Sequence, residues 1–126
     1  MKTFTFKYSP NAPSISKQLT DSLGGNPYLK PNELVSKSLK AIFQLATEAR
    51  LEIFGAIVNQ QPNSINDLAG KLGKSQPYIL KEVRTLESLG LIKLVQEFDG
   101  QRERLKPVAL FSKIVIDCGF DRKEAA

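Results

Sequence analysis

The sequence predicts an α+β fold, mainly α: a helix-turn-helix with a β-hairpin wing, preceded by an N-terminal strand and a helical extension. Three observations predict it. Residues 64–75 hold two helix-capping serines, Ser64 and Ser75, on either side of Gly73. Apolar residues recur at spacings of three and four from Leu34 to Val58 and again from Ile65 to Leu89. Asp99-Gly100 then separates two strand-like segments, a strong hairpin signal.

Taken in chain order, residues 3–8 alternate. Phe4, Phe6 and Tyr8 fall on one face, and Thr3, Thr5 and Lys7 on the other, the period of a half-buried strand. Pro10 and Pro13 end it, and Ser14 to Leu23 reads as a short helix before the Gly24-Gly25-Asn26-Pro27 break. Residues 9–32 therefore read as a connector. From Pro31 the period is helical, with Leu34, Val35, Leu39, Ile42 and Phe43 in one helix. Thr47-Glu48 caps a second helix, which ends near Gln60 ahead of Pro62.

The next stretch carries the most information. Ser64 caps a helix and Asp67 lies three residues on, a variant of the capping box. Ile65, Leu68, Ala69 and Leu72 form its apolar face, and Gly73 closes it in a left-handed conformation. Ser75 caps a longer helix that tolerates Pro77 in its first turn. Ile79, Val83, Leu86 and Leu89 point inward, and Gly90 stops the helix. Leu91 to Phe98 and Gln101 to Val108 form the hairpin, with Pro107 at an edge position. Lys113 to Phe120 alternates as a last strand, and residues 121–126 read as a loose tail. The expected organisation is an arm over 1–32, a winged helix-turn-helix domain over 33–120, and the tail.

Composition narrows the function. The chain has 126 residues and a formal net charge of +5, which favours a polyanionic partner. Histidine is absent and Cys118 is the sole cysteine, so the usual general base and zinc-ligand sets are missing. No phosphate loop, nucleophile elbow or metal spacing is present, so the reading is not an enzyme, with no cofactor and no metal. The pair Glu48 and Glu52 reads as a solvated helix face, and Cys118 as a small apolar filler. There is no apolar run of membrane-spanning length and no signal-type N-terminus, so a cytoplasmic protein without a membrane partner is expected.

The major groove of DNA admits one helix, held in place by a second helix packed across it. In this chain the second helix would present Ser75, Gln76, Tyr78, Lys81, Arg84 and Thr85 outward, and the wing would add Gln101, Arg102 and Arg104 at its tip, with Lys93 and Lys106 on its flanks. Arg84 suits guanine O6/N7 and Gln76 suits adenine N6/N7, while the wing suits phosphates or the minor groove. Glu82, Glu87 and Glu103 oppose phosphate if they face the groove. Leu80 reads either as a thymine-methyl contact or as packing on a neighbouring helix.

Ser64 to Ile92, ending Leu86-Glu87-Ser88-Leu89-Gly90-Leu91-Ile92, resembles the winged helix-turn-helix of MarR-like and ArsR-like regulators. The whole chain is similar to small predicted regulators encoded beside toxin genes. The resemblance implies sequence-specific binding of double-stranded DNA, in a repressor acting as a homodimer. The alternative is a winged-helix interaction module, or an antitoxin holding a toxin or other partner protein. The chain departs from metal-sensing ArsR-like members in lacking their Cys and His ligands. The dimer contacts are expected from residues 3–8, 34–58 or 113–120. The first and last strands can pair with each other or across a two-fold axis.

Overall fold

The computed structural model describes residues 2–11 and 31–119. The expected helix at Ser14–Leu23, most of the connector, Phe120 and the tail at 121–126 lie outside the described residues. The described chain has five strands and four helices: β1 (Thr3–Tyr8), β2 (Glu33–Ser36), α1 (Leu39–Leu45), α2 (Glu48–Gln60), α3 (Ile65–Leu72), α4 (Gln76–Ser88), β3 (Ile92–Asp99), β4 (Arg102–Ala109) and β5 (Lys113–Asp117). Among described residues about 42% are helical and 31% are strand, in two sheets. The mainly α expectation is therefore corrected: strand content approaches helix content.

The chain divides into two compact units, Met1–Lys2 with Ala46–Ser112, and Thr3–Leu45 with Lys113–Ala126. Residues 33–45 and 113–119 fall in the same unit as residues 3–8. That unit is a three-stranded parallel sheet in the order β2-β1-β5. Phe4 and Phe6 are buried, with their rings edge to face at 5.2 Å. Ile42 of α1 is fully buried in the same unit. Leu34 and Val35, expected in a helix, pair in β2 with Phe6 and Lys7. Helix α1 starts only after Ser38, whose hydroxyl accepts from Ala41 N at 3.2 Å. The hydroxyl of the buried Ser36 donates to the Ser38 carbonyl and accepts from its N–H, both at 3.0 Å, which turns the chain from strand to helix. Phe43, expected on the apolar face, is 52% exposed.

The other unit packs α2, α3 and α4 with the antiparallel hairpin β3–β4. Its caps are local and follow the sequence. Thr47, Ser64 and Ser75 accept from the N–H groups of Arg50, Asp67 and Tyr78. Gly73 ends α3 at φ +66°, and Gly90 turns the chain out of α4 at φ +86°. The capping box is displaced by one residue: Asp67 Oδ2 accepts from Asn63 N at 2.9 Å rather than from Ser64. That bond, helped by Lys71 at 3.4 Å, holds the Asp67 carboxyl below the usual range. Its contribution to stability is present above the unfolded-state pKa and fades as pH falls through the lowered one. Ile57, Leu68, Ile79, Val83, Leu86, Leu91 and Ile92 are buried to 2% exposure or less and form the core of this unit.

The hairpin turn also differs by one residue. Asp99 pairs with Arg102, so the two-residue loop is Gly100-Gln101, not Asp99-Gly100. Gly100 has φ +68° while Gln101 does not have a positive φ, which is the type II′ pattern with glycine first. Pro107 pairs with Leu94 on a two-stranded ribbon, where a missing N–H is tolerated.

Candidate nucleic-acid interface

Helix α4 is 13 residues long, roughly 20 Å, enough to lie across a groove about 12 Å wide. Its buried stripe is Ile79, Val83 and Leu86. The opposite stripe is exposed at Tyr78, Lys81 and Arg84, and Gln76 is exposed in the first turn. Tyr78, Lys81 and Arg84 recur at spacings of three and face one side; Gln76 lies on the side of Leu80 instead. Tyr78 is exposed rather than packed in the core.

The acidic residues of α4 point elsewhere. Glu82 Oε2 receives a 2.7 Å hydrogen bond from Arg50 Nε of α2, with both side chains largely shielded from solvent. Glu87 Oε2 accepts from Leu94 N at the start of the hairpin, at 3.3 Å, and its other oxygen lies 3.9 Å from Arg84. The Arg84–Glu87 contact is long and exposed, so it holds Arg84 weakly.

Not every expected residue is available. Ser75 spends its hydroxyl oxygen on the α4 cap. Thr85 is half-buried and donates its hydroxyl to the Lys81 carbonyl at 3.3 Å. On the hairpin, the register places Lys93, Lys106, Arg104 and Arg102 on one face, with Lys93 and Lys106 near its base and the arginines at its tip. Glu97 is directly opposite Arg104, which offsets that arginine's charge. Glu103 lies on the other face, hydrogen bonded by Gln96 Nε2.

A groove of about 550 Å³ joins three of the expected residues. Gln76 from α4 and Arg102, Glu103 and Arg104 from β4 line it, together with Ser64 and Asn66 at the start of α3, so an acidic residue stands in the groove beside the two arginines. Its apolar wall is Ile65, Leu80 and Leu105, so Leu80 belongs to the groove wall beside the hairpin. Lys81, Arg84 and Lys93 are not part of it. Asn66 adds a polar group that the expected set omitted; its place in the groove depends on packing, which no local motif announces.

The sequence profile of the HVO_A0114 family matches residues 45–116, more than half of the chain. The chain belongs to the HVO_A0114 family. The match spans α2 to β4, and so includes every residue of the interface just described. No curated protein matches the sequence. Among the described residues of this family member there is no cluster of metal-ligating side chains, and no helix long and apolar enough to cross a membrane.

The Arg50–Glu82 pair connects α2 to the helix that carries the exposed basic stripe. Arg50→Met leaves a shielded carboxylate without its cation and is expected to cost about 1–3 kcal/mol. Urea denaturation checks this. Adding Glu82→Leu should restore part of the loss, because the shielded carboxylate is then removed as well; a single variant as stable as the parent would show the pair to be inert.

Proposed function

We propose that this HVO_A0114-family chain is a cytoplasmic, non-enzymatic transcriptional repressor that binds double-stranded DNA as a dimer. Helix α4 enters the major groove and the hairpin rests on the flanking backbone. One observation carries the reading: α4 turns Gln76, Tyr78, Lys81 and Arg84 to solvent while Glu82 and Glu87 are engaged within the protein. The exposed stripe is therefore cationic and rich in hydrogen-bond donors, which suits phosphates and base edges. The net charge of +5 and the resemblance of Ser64–Ile92 to MarR-like and ArsR-like regulators support the same reading. Repression would be steric, with two half-sites occupied at once.

Selection from a pool of random duplexes, at moderate and at high salt, tests it. An enriched palindrome retained at high salt is the expected result. Weak binding that salt erases, with no enriched sequence, would reduce the chain to a nonspecific basic surface.

A second reading is a protein-interaction module, such as an antitoxin. Phe98 favours it: this aromatic is 68% exposed near the hairpin tip, opposite Glu103, on the hairpin face away from the arginines. A partner protein lost on Phe98→Ser, with DNA binding unchanged, would support this second role.

A further inference from the structure

The two outer strands of the parallel sheet differ. On β2, Leu34 and Val35 are each only 4% exposed. On β5, the three consecutive β-branched residues Ile114, Val115 and Ile116 are all half-buried. Among the described residues the outer edge of β5 has no partner strand. It has no proline, no bulge and no charge at its centre; its charges, Lys113 and Asp117, stand at its two ends. An edge of this composition is suited to pairing with another strand.

The charges on β5 identify the strand it suits. The segment reads Lys113-Ile114-Val115-Ile116-Asp117, with opposite charges placed symmetrically about Val115. In an antiparallel pair of two such strands centred on Val115, Lys113 lies opposite Asp117 of the second copy, and Ile114 opposite Ile116. Opposed side chains there have Cβ atoms about 4.5–5.5 Å apart, within reach of an ion pair. Parallel pairing in register would instead set lysine against lysine and aspartate against aspartate. Lys113, Val115 and Asp117 share the sheet face of Thr3, Thr5 and Lys7, so both ion pairs would form on one face. Asp117 Oδ1 already accepts from Gly119 N at 2.9 Å, which fixes the carboxylate and leaves its second oxygen for the partner lysine.

We infer that β5 is a self-complementary dimerisation edge, which joins the three-stranded sheets of two copies antiparallel about a two-fold axis at Val115. Strand β1 cannot play this part, because β2 and β5 occupy both of its edges. The inference does not rest on DNA binding, and its failure would leave groove binding by α4 standing, without a dimer through this edge.

Sedimentation equilibrium of the full chain without nucleic acid tests it. Lys113→Asp and Asp117→Lys, each alone, convert both cross-strand pairs to like charges and should weaken self-association roughly tenfold or more. An equimolar mixture of the two variants should form heterodimers, since every pair is then complementary again. The double variant Lys113→Asp/Asp117→Lys should dimerise like the parent. A monomeric parent chain, or single variants that dimerise undiminished, would overturn the inference. If a charge variant fails to fold, Val115→Cys in a Cys118→Ser background is the second test. Mild oxidation should link it across the axis into a covalent dimer, and a chain that stays monomeric would refute the edge pairing.

Discussion

Lys81→Glu combined with Arg84→Glu is expected to abolish duplex binding, with a loss of about 100-fold or more at moderate salt. Both side chains lie on the exposed stripe of α4 and neither contributes to the core, so the fold should be retained, as circular dichroism would show. A good bidentate arginine contact contributes about 1–3 kcal/mol, and a phosphate contact sets about one unit of the salt slope. Reversal replaces both attractions by repulsion of the phosphates. Gel shift across a salt series reads the effect. Alanine at Arg102 or Arg104 should behave differently, weakening all sequences alike. Alanine at Gln76 should instead relax preference at particular bases. Near-parental affinity in the folded double variant would remove α4 from the groove and favour the protein-interaction reading.

Glu97→Gln sharpens the same point from the opposite direction. The register sets Glu97 against Arg104, so this carboxylate offsets the hairpin's positive charge. Its removal should raise affinity for all duplexes several-fold and steepen the salt dependence. Unchanged affinity would mean that the hairpin tip does not touch the backbone.

What the sequence made legible was local. Thr47, Ser64, Gly73 and Ser75 mark the helix ends because a cap satisfies backbone groups within three or four residues of itself. The buried stripe of α4 was readable for the same reason. Strand β2 was not. Leu34, Val35, Leu39 and Ile42 fit a helical spacing, and four strand residues are too few to show alternation. Residues 33–36 are extended because β1 offers a parallel edge across a long gap in sequence. The same nonlocality explains the β1–β5 pairing, in which Ile116 partners Phe6. Nor could spacing show that Glu82 faces Arg50, 32 residues away. Sequence placed Glu82 on α4 with an open question of direction, and packing answered it.

Phe6→Ala should be the most destabilising single substitution in the parallel-sheet unit, costing about 3–5 kcal/mol. Phe6 is fully buried on the central strand, with neighbours Leu34 and Ile116 in register on either side. Truncation removes most of a buried aromatic surface and leaves a cavity that two hydrogen-bonded strands cannot easily close. It also breaks the edge-to-face contact with Phe4, which adds about 0.5–1.5 kcal/mol beyond area burial. Phe6→Leu separates these contributions: it keeps much of the volume and loses the ring contact, so its cost should be less than half that of alanine. Thr5→Ala is the control, because Thr5 lies on the other, partly exposed face of the same strand. Chemical denaturation of the three variants reads the series. The sheet is a packed core if the order of cost is alanine at 6, leucine at 6, then alanine at 5; a loss below about 1 kcal/mol for Phe6→Ala would mean that β1 is not the organising strand of this unit.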